Sequence, residues 1–446
     1  MPYSRKFVIA LLIVIGSCLP GYSLPPQSQG VNITIQVDKS SVGEGQNVVI
    51  TAVAKNANGD PAVNLNLHAK VNGKDWGADY PTLPSGVAHL LLPLPETGAN
   101  SIVITDGANA SSPVVVQVHP RHFNITLDPD HLVGMEYEIW FGPGYAEWGK
   151  EEAVPILGRY SSLDERVLRQ QTLWFNDLGI NFVETDWTNN LTSPFPNAAA
   201  KECIDSTNLL LDLYLKMPQH PLVVFLVGPE NNVWMNDKDK YVGPWYTDQM
   251  NYLYDHYLNN PKYKGMWVMY EGKPLVTFYL NGPRSGPPPK IDDPRFTIRY
   301  VSAWLQYTHG EKYGAWSWYD QEATPTYHDG KVEALTITDG YPGINSPGKG
   351  LDNWIAADAG GKNYGETYKT QWEVAKKYKP RFLFINQWNE FEPPDQYNVN
   401  MSNDLEPTVM TEKGDPRPSG WGFEYFNLTL DEIREYHEAI QGGHSK

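Results

Sequence analysis

An α/β architecture is expected of this chain: a (β/α)8 TIM barrel behind a small all-β sandwich. Three features lead to it. Short β-branched runs broken by turn residues fill the front of the chain up to Val118. From Val133 onward, apolar runs alternate with longer stretches of helical period, as parallel strands joined by crossover helices require. The length of 446 residues suits one small and one large core.

The sandwich is expected over residues 31–118. Runs such as Val48-Val49-Ile50-Thr51 and Ser101-Ile102-Val103-Ile104-Thr105 read as strands, and Asn58-Gly59-Asp60-Pro61 reads as a turn. Strand rhythm and length resemble bacterial immunoglobulin-like modules. With no exposed aromatic cluster in view, the segment reads as a packing partner for the domain behind it. A spacer or glycan-binding module is its functional alternative.

Composition shifts near His119-Pro120-Arg121, and the barrel is expected over 131–446. Its eight strands are read at Val133–Phe141, Gly179–Trp187, Pro221–Gly228, Pro274–Leu280, Phe296–Val301, Tyr313–Asp320, Val332–Asp339 and Arg381–Phe391. Ser162-Leu163-Asp164-Glu165 has the form of a capping box. Val167, Gln171, Trp174 and Leu178 then follow at helical spacing. Gly286-Pro287-Pro288-Pro289 reads as a loop, and Thr429-Leu430-Asp431-Glu432 as the cap of a closing amphipathic helix.

Arg5 and Lys6 precede the apolar run Phe7–Ile15, the order of a secretory signal, here assigned to residues 1–23. That run is too short for a transmembrane span. Ile15-Gly16-Ser17-Cys18 also has the form of a lipoprotein signal, which makes Cys18 a candidate lipid anchor on a secreted or cell-surface protein. Cys203 is the other cysteine, so a mature chain relies on packing and not on an internal disulfide.

A formal charge of −17 argues against nucleic acid as a partner. The 15 Trp and 27 Tyr suit a cleft that stacks flat ligand faces, although a Trp-rich core is the plainer explanation. The histidines include no His-Glu-x-x-His, no Gly-x-Ser-x-Gly elbow occurs, and no Gly-x-x-x-x-Gly-Lys run appears. No cofactor and no transition metal is therefore expected. Asp237 and Asp239 make a weak calcium candidate.

In a parallel barrel the reactive groups gather at the carboxyl ends of the strands. Those ends carry Glu136, Glu138 and Trp140; Glu184, Asp186 and Trp187; Glu230; Tyr279; Trp316, Trp318 and Asp320; Asp339 and Tyr341; and the run Gln387-Trp388-Asn389-Glu390-Phe391-Glu392. Carboxylates interleaved with aromatic rings are what glycoside hydrolysis asks for, since rings stack on sugar C–H faces while paired carboxyls trade protons. Each acid taken singly has a duller explanation as a salt bridge or helix cap. Glu390 and Glu392, two apart on an extended strand, would face the same way with Cα atoms about 6.5–7 Å apart. Retaining and inverting separations both remain open to such a pair.

The barrel segment resembles glycoside hydrolase families 71 and 99. The resemblance rests on Trp140-Phe141-Gly142, Pro155-Ile156-Leu157-Gly158-Arg159-Tyr160-Ser161-Ser162, Asp186-Trp187, Gly272-Lys273-Pro274-Leu275-Val276, Trp388-Asn389-Glu390-Phe391, Tyr364-Gly365-Glu366-Thr367-Tyr368 and Leu405-Glu406-Pro407-Thr408, in order along the chain. It implies a hydrolase of α-linked glycans, endo-mannosidases and α-1,3-glucanases being the known types. It also implies two catalytic carboxylates after strand eight. Glu390 takes the first position, assisting the sugar's 2-hydroxyl, and Glu392 the second, protonating the leaving oxygen. In the family the second glutamate follows after three residues and precedes glycine; here it follows after two and precedes Pro393-Pro394. Asp395 and Glu406 are therefore alternative acids. Trp388, Trp187 and Trp318 are candidates for sugar stacking, Asn389 for a hydroxyl contact, and Asp186, Glu136, Trp140, Tyr279, Tyr341 and Glu406 for the remaining substrate-binding surface. A non-catalytic glycan-binding surface protein on the same barrel is the alternative from another class, and an adhesin working through its sandwich is a third.

Overall fold

The computed structural model describes residues 30–142, 148–149, 151–188, 194–228, 243–283, 286–318, 320–340, 361–391 and 402–443. The expected signal segment with Cys18, the calcium candidates Asp237 and Asp239, and Glu230, Tyr341, Glu392 and Asp395 lie outside the described residues.

Eight strands form the front of the chain: β1 (Asn32–Val37), β2 (Ser41–Gly43), β3 (Asn47–Lys55), β4 (Asn66–Val71), β5 (Lys74–Pro81), β6 (Val87–Pro93), β7 (Gly98–Thr105) and β8 (Val114–His119). They make two sheets, β1-β3-β6 and β2-β8-β7-β4-β5. Alternation along β3 sends Val48, Ile50, Ala52 and Ala54 inward, and along β7 Ile102 and Ile104, so the two inner faces share one apolar core.

The strands and longer helices that follow are, in order, β9 (Leu132–Tyr137), α1 (Glu165–Leu178), β10 (Phe182–Trp187), α2 (Ala198–Tyr214), β11 (Leu222–Val227), α3 (Pro244–Leu253), β12 (Met269–Tyr270), β13 (Lys273–Pro283), β14 (Thr297–Ala303), β15 (Trp316–Ser317), β16 (Thr326–His328), β17 (Lys331–Thr338), α4 (Glu366–Tyr378), β18 (Phe382–Asn386) and α5 (Glu424–Gly443). One sheet runs β15-β14-β13-β11-β10-β9-β18-β17-β16. Its eight long-sequence neighbours from β15 round to β17 pair in parallel, while β16 and β12 attach antiparallel. The sheet is a nearly closed barrel. At the seam, where β15 meets β16 and β17, Thr336 Oγ1 of β17 donates to the Ser317 carbonyl and Thr326 Oγ1 of β16 to the Ala315 carbonyl (2.7 Å), so side chains do there what a backbone ladder does elsewhere.

All eight expected strands are present; five are shorter than expected, β13 (Lys273–Pro283) and β14 (Thr297–Ala303) run past their expected ends, and β17 is shifted by one residue. The sixth contracts to Trp316–Ser317, and the eighth stops at Asn386 instead of reaching Phe391. Gly179 is not the start of a strand but the left-handed C-cap of α1 (φ 78°), a conformation that a Cβ disfavours. The N-cap of α1 is Asp164, which accepts from the Arg166 N–H, and not Ser162. Thr429 likewise caps nothing: α5 begins at Glu424, and the Thr429 hydroxyl donates back to the Tyr425 carbonyl at 2.7 Å.

β9, β10 and β18 are buried along their whole length because the lumen covers one face and the helices the other. Phe182, Phe382, Phe384 and Trp316 fill the lumen. Gly134 has no side chain because a Cβ there would stand 2.1 Å from the Phe182 ring.

α1 carries the front module. Gln170 Nε2 donates to the Gly45 carbonyl (2.9 Å), Arg169 pairs with Glu44 (3.1 Å), and Arg121 grips Asp177 through both terminal nitrogens at 2.8 and 2.9 Å. Bidentate geometry and partial burial make the last pair the firmest of these contacts.

Candidate active site

β9 and β10 deliver the acids. Their register sets Glu184 beside Glu136, and its continuation sets Asp186 beside Glu138. Two-residue spacing on adjacent parallel strands aims all four carboxyls to one side. Oxygens of Glu136, Glu138 and Asp186 lie within 4.8 Å of one another, and all three residues are buried.

The individual settings differ. Glu136 Oε2 accepts from Trp318 Nε1 at 2.8 Å and from the Asn386 amide, while Oε1 has no partner among the described residues. Neither oxygen of Glu138 has a hydrogen-bond partner among the described residues. Glu184 accepts from the Thr277 hydroxyl at 2.5 Å, and Asp186 accepts from the Thr188 N–H (2.5 Å) and hydroxyl (3.0 Å). Burial first, then the neighbouring carboxylates, holds Glu136 and Glu138 well above the ordinary carboxyl range. Burial lifts Glu184 to about 8; Asp186, with its donors opposing burial, reaches about 6. The mouth therefore holds carboxyls of unlike protonation side by side, the condition for acid and base work by one kind of group.

After β18 the backbone leaves the strand path through a cis Asn386–Gln387 peptide and a left-handed Phe391 (φ 46°). Glu390 therefore lies beyond the strand and not on its extended face. The Asp404 carboxylate takes the place of a neighbouring strand: it accepts from the Glu390 N–H at 2.5 Å and from the Phe391 N–H at 3.3 Å. Ser402 donates to Asp404 at 2.9 Å, and Lys362 Nζ, ion-paired with Asp339, donates to the Asp404 carbonyl at 3.1 Å. The half-buried Glu390 carboxylate accepts from the Gln387 amide, and its charge acts on Glu136, Glu138 and Asp404.

Some expected contacts lie elsewhere. Trp388 is fully buried with its ring against Phe175 and Trp174 of α1, and Trp187 is fully buried against Phe225 and Tyr257 with Nε1 on Thr207. Both belong to the core between barrel and helices, and neither offers a face for stacking. Trp140 is also buried, at 3% exposure. Asn389 spends its amide on the chain itself: Oδ1 accepts from the Glu138 N–H (2.9 Å), and Nδ2 donates to the Glu138 carbonyl (3.0 Å) and Tyr160 (2.8 Å). The Tyr160 hydroxyl donates to Glu406 at 2.7 Å, and Gln171 donates to the same oxygen at 3.3 Å. Glu406 is thus part of a buried network, lifted to about 8 by burial. Trp318 is the half-buried ring at the mouth, standing edge-on to Tyr279 with centroids 4.2 Å apart. Asp404, Lys362 and Asn386 escape a sequence reading; the one signal is that Asn386 directly precedes the run that begins at Gln387.

The fold is similar to the family 99 endo-α-mannosidase of Bacteroides thetaiotaomicron in complex with Bis-Tris propane (TM-score 0.48, 17% identity, 71% of this chain and 100% of that one). A second structure of an endo-α-mannosidase from that organism gives 0.47, 15%, 70% and 99%, and a glycoside hydrolase-like protein gives 0.41, 13%, 71% and 97%. No family model and no curated protein matches the chain.

Proposed function

We propose that this protein is an exported glycoside hydrolase that cleaves α-linked glycans at the carboxyl end of its barrel, with Glu390 at the reaction centre. The observation that carries this reading is the gathering of Glu136, Glu138 and Asp186, within the field of Glu390, beside the Trp318–Tyr279 pair. Hydrolysis of a glycosidic bond needs one carboxyl that gives a proton to the leaving oxygen and one that is ionised, and this mouth keeps both kinds together. The family resemblance of the sequence assigns Glu390 to the sugar's 2-hydroxyl and Glu392 to the leaving oxygen. Trp318 supplies the ring for a sugar face, and the immunoglobulin-like front module serves as a packed support for α1.

The test is reducing-end release by the purified chain from a panel of α-mannans, α-1,3-glucans and unrelated polysaccharides. Release from an α-linked polymer is the expected result. Binding to such a polymer without release would instead make the chain a glycan-binding protein.

A further inference from the structure

We propose that Glu136, Glu138 and Asp186 form a binding site for a hard divalent cation of calcium size at the mouth of the barrel. One oxygen from each of three buried carboxyls lies within 4.8 Å of the others. Oxygens around Ca²⁺ at its usual 2.3–2.6 Å stand at most about 4.6–5.2 Å apart, so three oxygens this close can share one such ion, whereas Mg²⁺ gives up its waters reluctantly and is usually held by only one or two carboxylates. The donor set is all carboxylate, which selects Ca²⁺ over zinc or copper.

Glu138 supplies the independent reason. It is 1% exposed, and both of its oxygens lack a hydrogen-bond partner among the described residues, as does Glu136 Oε1. Protonation would remove the charge of Glu138 but would leave a buried O–H and a buried carbonyl oxygen unpaired, a cost of about 1–3 kcal/mol per group. A cation removes the charge and satisfies the oxygens together. Among the described residues, the charges acting most strongly on Glu136 and Glu138 are other carboxylates. The remaining Glu136 oxygen is held by Trp318 and Asn386, and Asp186 by Thr188, which orients two of the ligands in advance.

The experiment uses the full mature chain stripped with EDTA, and its readouts are independent of any glycosidase activity. Ca²⁺ and Mg²⁺ are titrated against Tm, and Tb³⁺ luminescence is excited through tryptophan, Trp318 being in contact with Glu136. We expect Ca²⁺ to raise Tm more than Mg²⁺ does. One equivalent of Tb³⁺ should luminesce, and excess Ca²⁺ should displace it. Glu138→Gln and, as a second variant, Asp186→Asn should each weaken the Tb³⁺ affinity at least tenfold, while Asp329→Asn on the surface leaves it unchanged. No Ca²⁺ effect on Tm and no Tb³⁺ signal would overturn the proposal. So would parental affinity in a folded Glu138→Gln variant, because the ion would then sit elsewhere.

Discussion

Asp404 accepts the backbone N–H of Glu390 at 2.5 Å and that of Phe391 next to it, so one buried carboxyl fixes the turn that presents Glu390 to the barrel mouth. Phe391 sits at φ 46°, a left-handed conformation that a bulky residue adopts only when its surroundings hold it there. Asp404→Ala removes that hold and leaves donors of Glu390, Phe391 and Ser402 unpaired. The expected result is a fall in kcat of about 10²-fold with little change in KM, since displacement of a reacting group by about 1 Å costs that much. Steady-state kinetics on the polymer that the parent cleaves would check it, with Asp404→Asn as the milder variant.

Lys362 sustains the same turn from behind. It is 3% exposed, paired with the buried Asp339, and its ammonium stands 4.6 and 4.2 Å from the ring centroids of Trp421 and Tyr425. Lys362→Met keeps the stem and deletes the charge, so Asp339 loses its partner. Loss of about 3–5 kcal/mol in urea unfolding is expected, the usual effect of orphaning one member of a buried pair.

Stability should fall as pH rises through neutrality. Glu184 and Glu406 are raised to about 8 and Asp404 to about 7, mainly by burial, against unfolded values near 4. The folded chain therefore binds more protons than the unfolded chain between about pH 4 and pH 8. The contribution is complete below about pH 4 and is lost by about pH 8. Tm should decline across that window, and Glu406→Gln should flatten part of the decline while keeping acceptors for Tyr160 and Gln171. Calorimetric scans at one-unit pH steps would show it.

Two tryptophans should separate structure from binding. Trp388→Ala opens a cavity between barrel and α1 and should cost about 3–5 kcal/mol. Trp318→Ala, at a half-buried ring, should change stability less and weaken glycan affinity, because an edge-on pair with Tyr279 is what it contributes to the mouth. Paired denaturation and affinity electrophoresis would distinguish the two.

The barrel was legible because parallel strands buried on both faces read as continuous apolar runs, and β10, β11 and β18 fall inside the predicted segments. The gathering of the acids on β9 and β10 was legible because parallel strands of a barrel all end on one side. Tryptophan was misleading. Trp187 and Trp388 sit beside the acids in sequence, yet their rings turn outward to the helices, and side-chain direction after a strand end is set by tertiary packing. Asp404 was illegible because its hydrogen bonds to Glu390 and Phe391 depend on a return of the chain that no local pattern encodes.

The most direct test is the rate of reducing-end release by Glu390→Gln relative to the parent, on a polymer that the parent cleaves, together with the Kd of each for that polymer. The substitution is expected to lower the rate at least about 10²-fold, the usual contribution of a proton-transferring group, with Kd largely retained. A variant that cleaves at the parental rate would remove Glu390 from the chemistry and contradict the account.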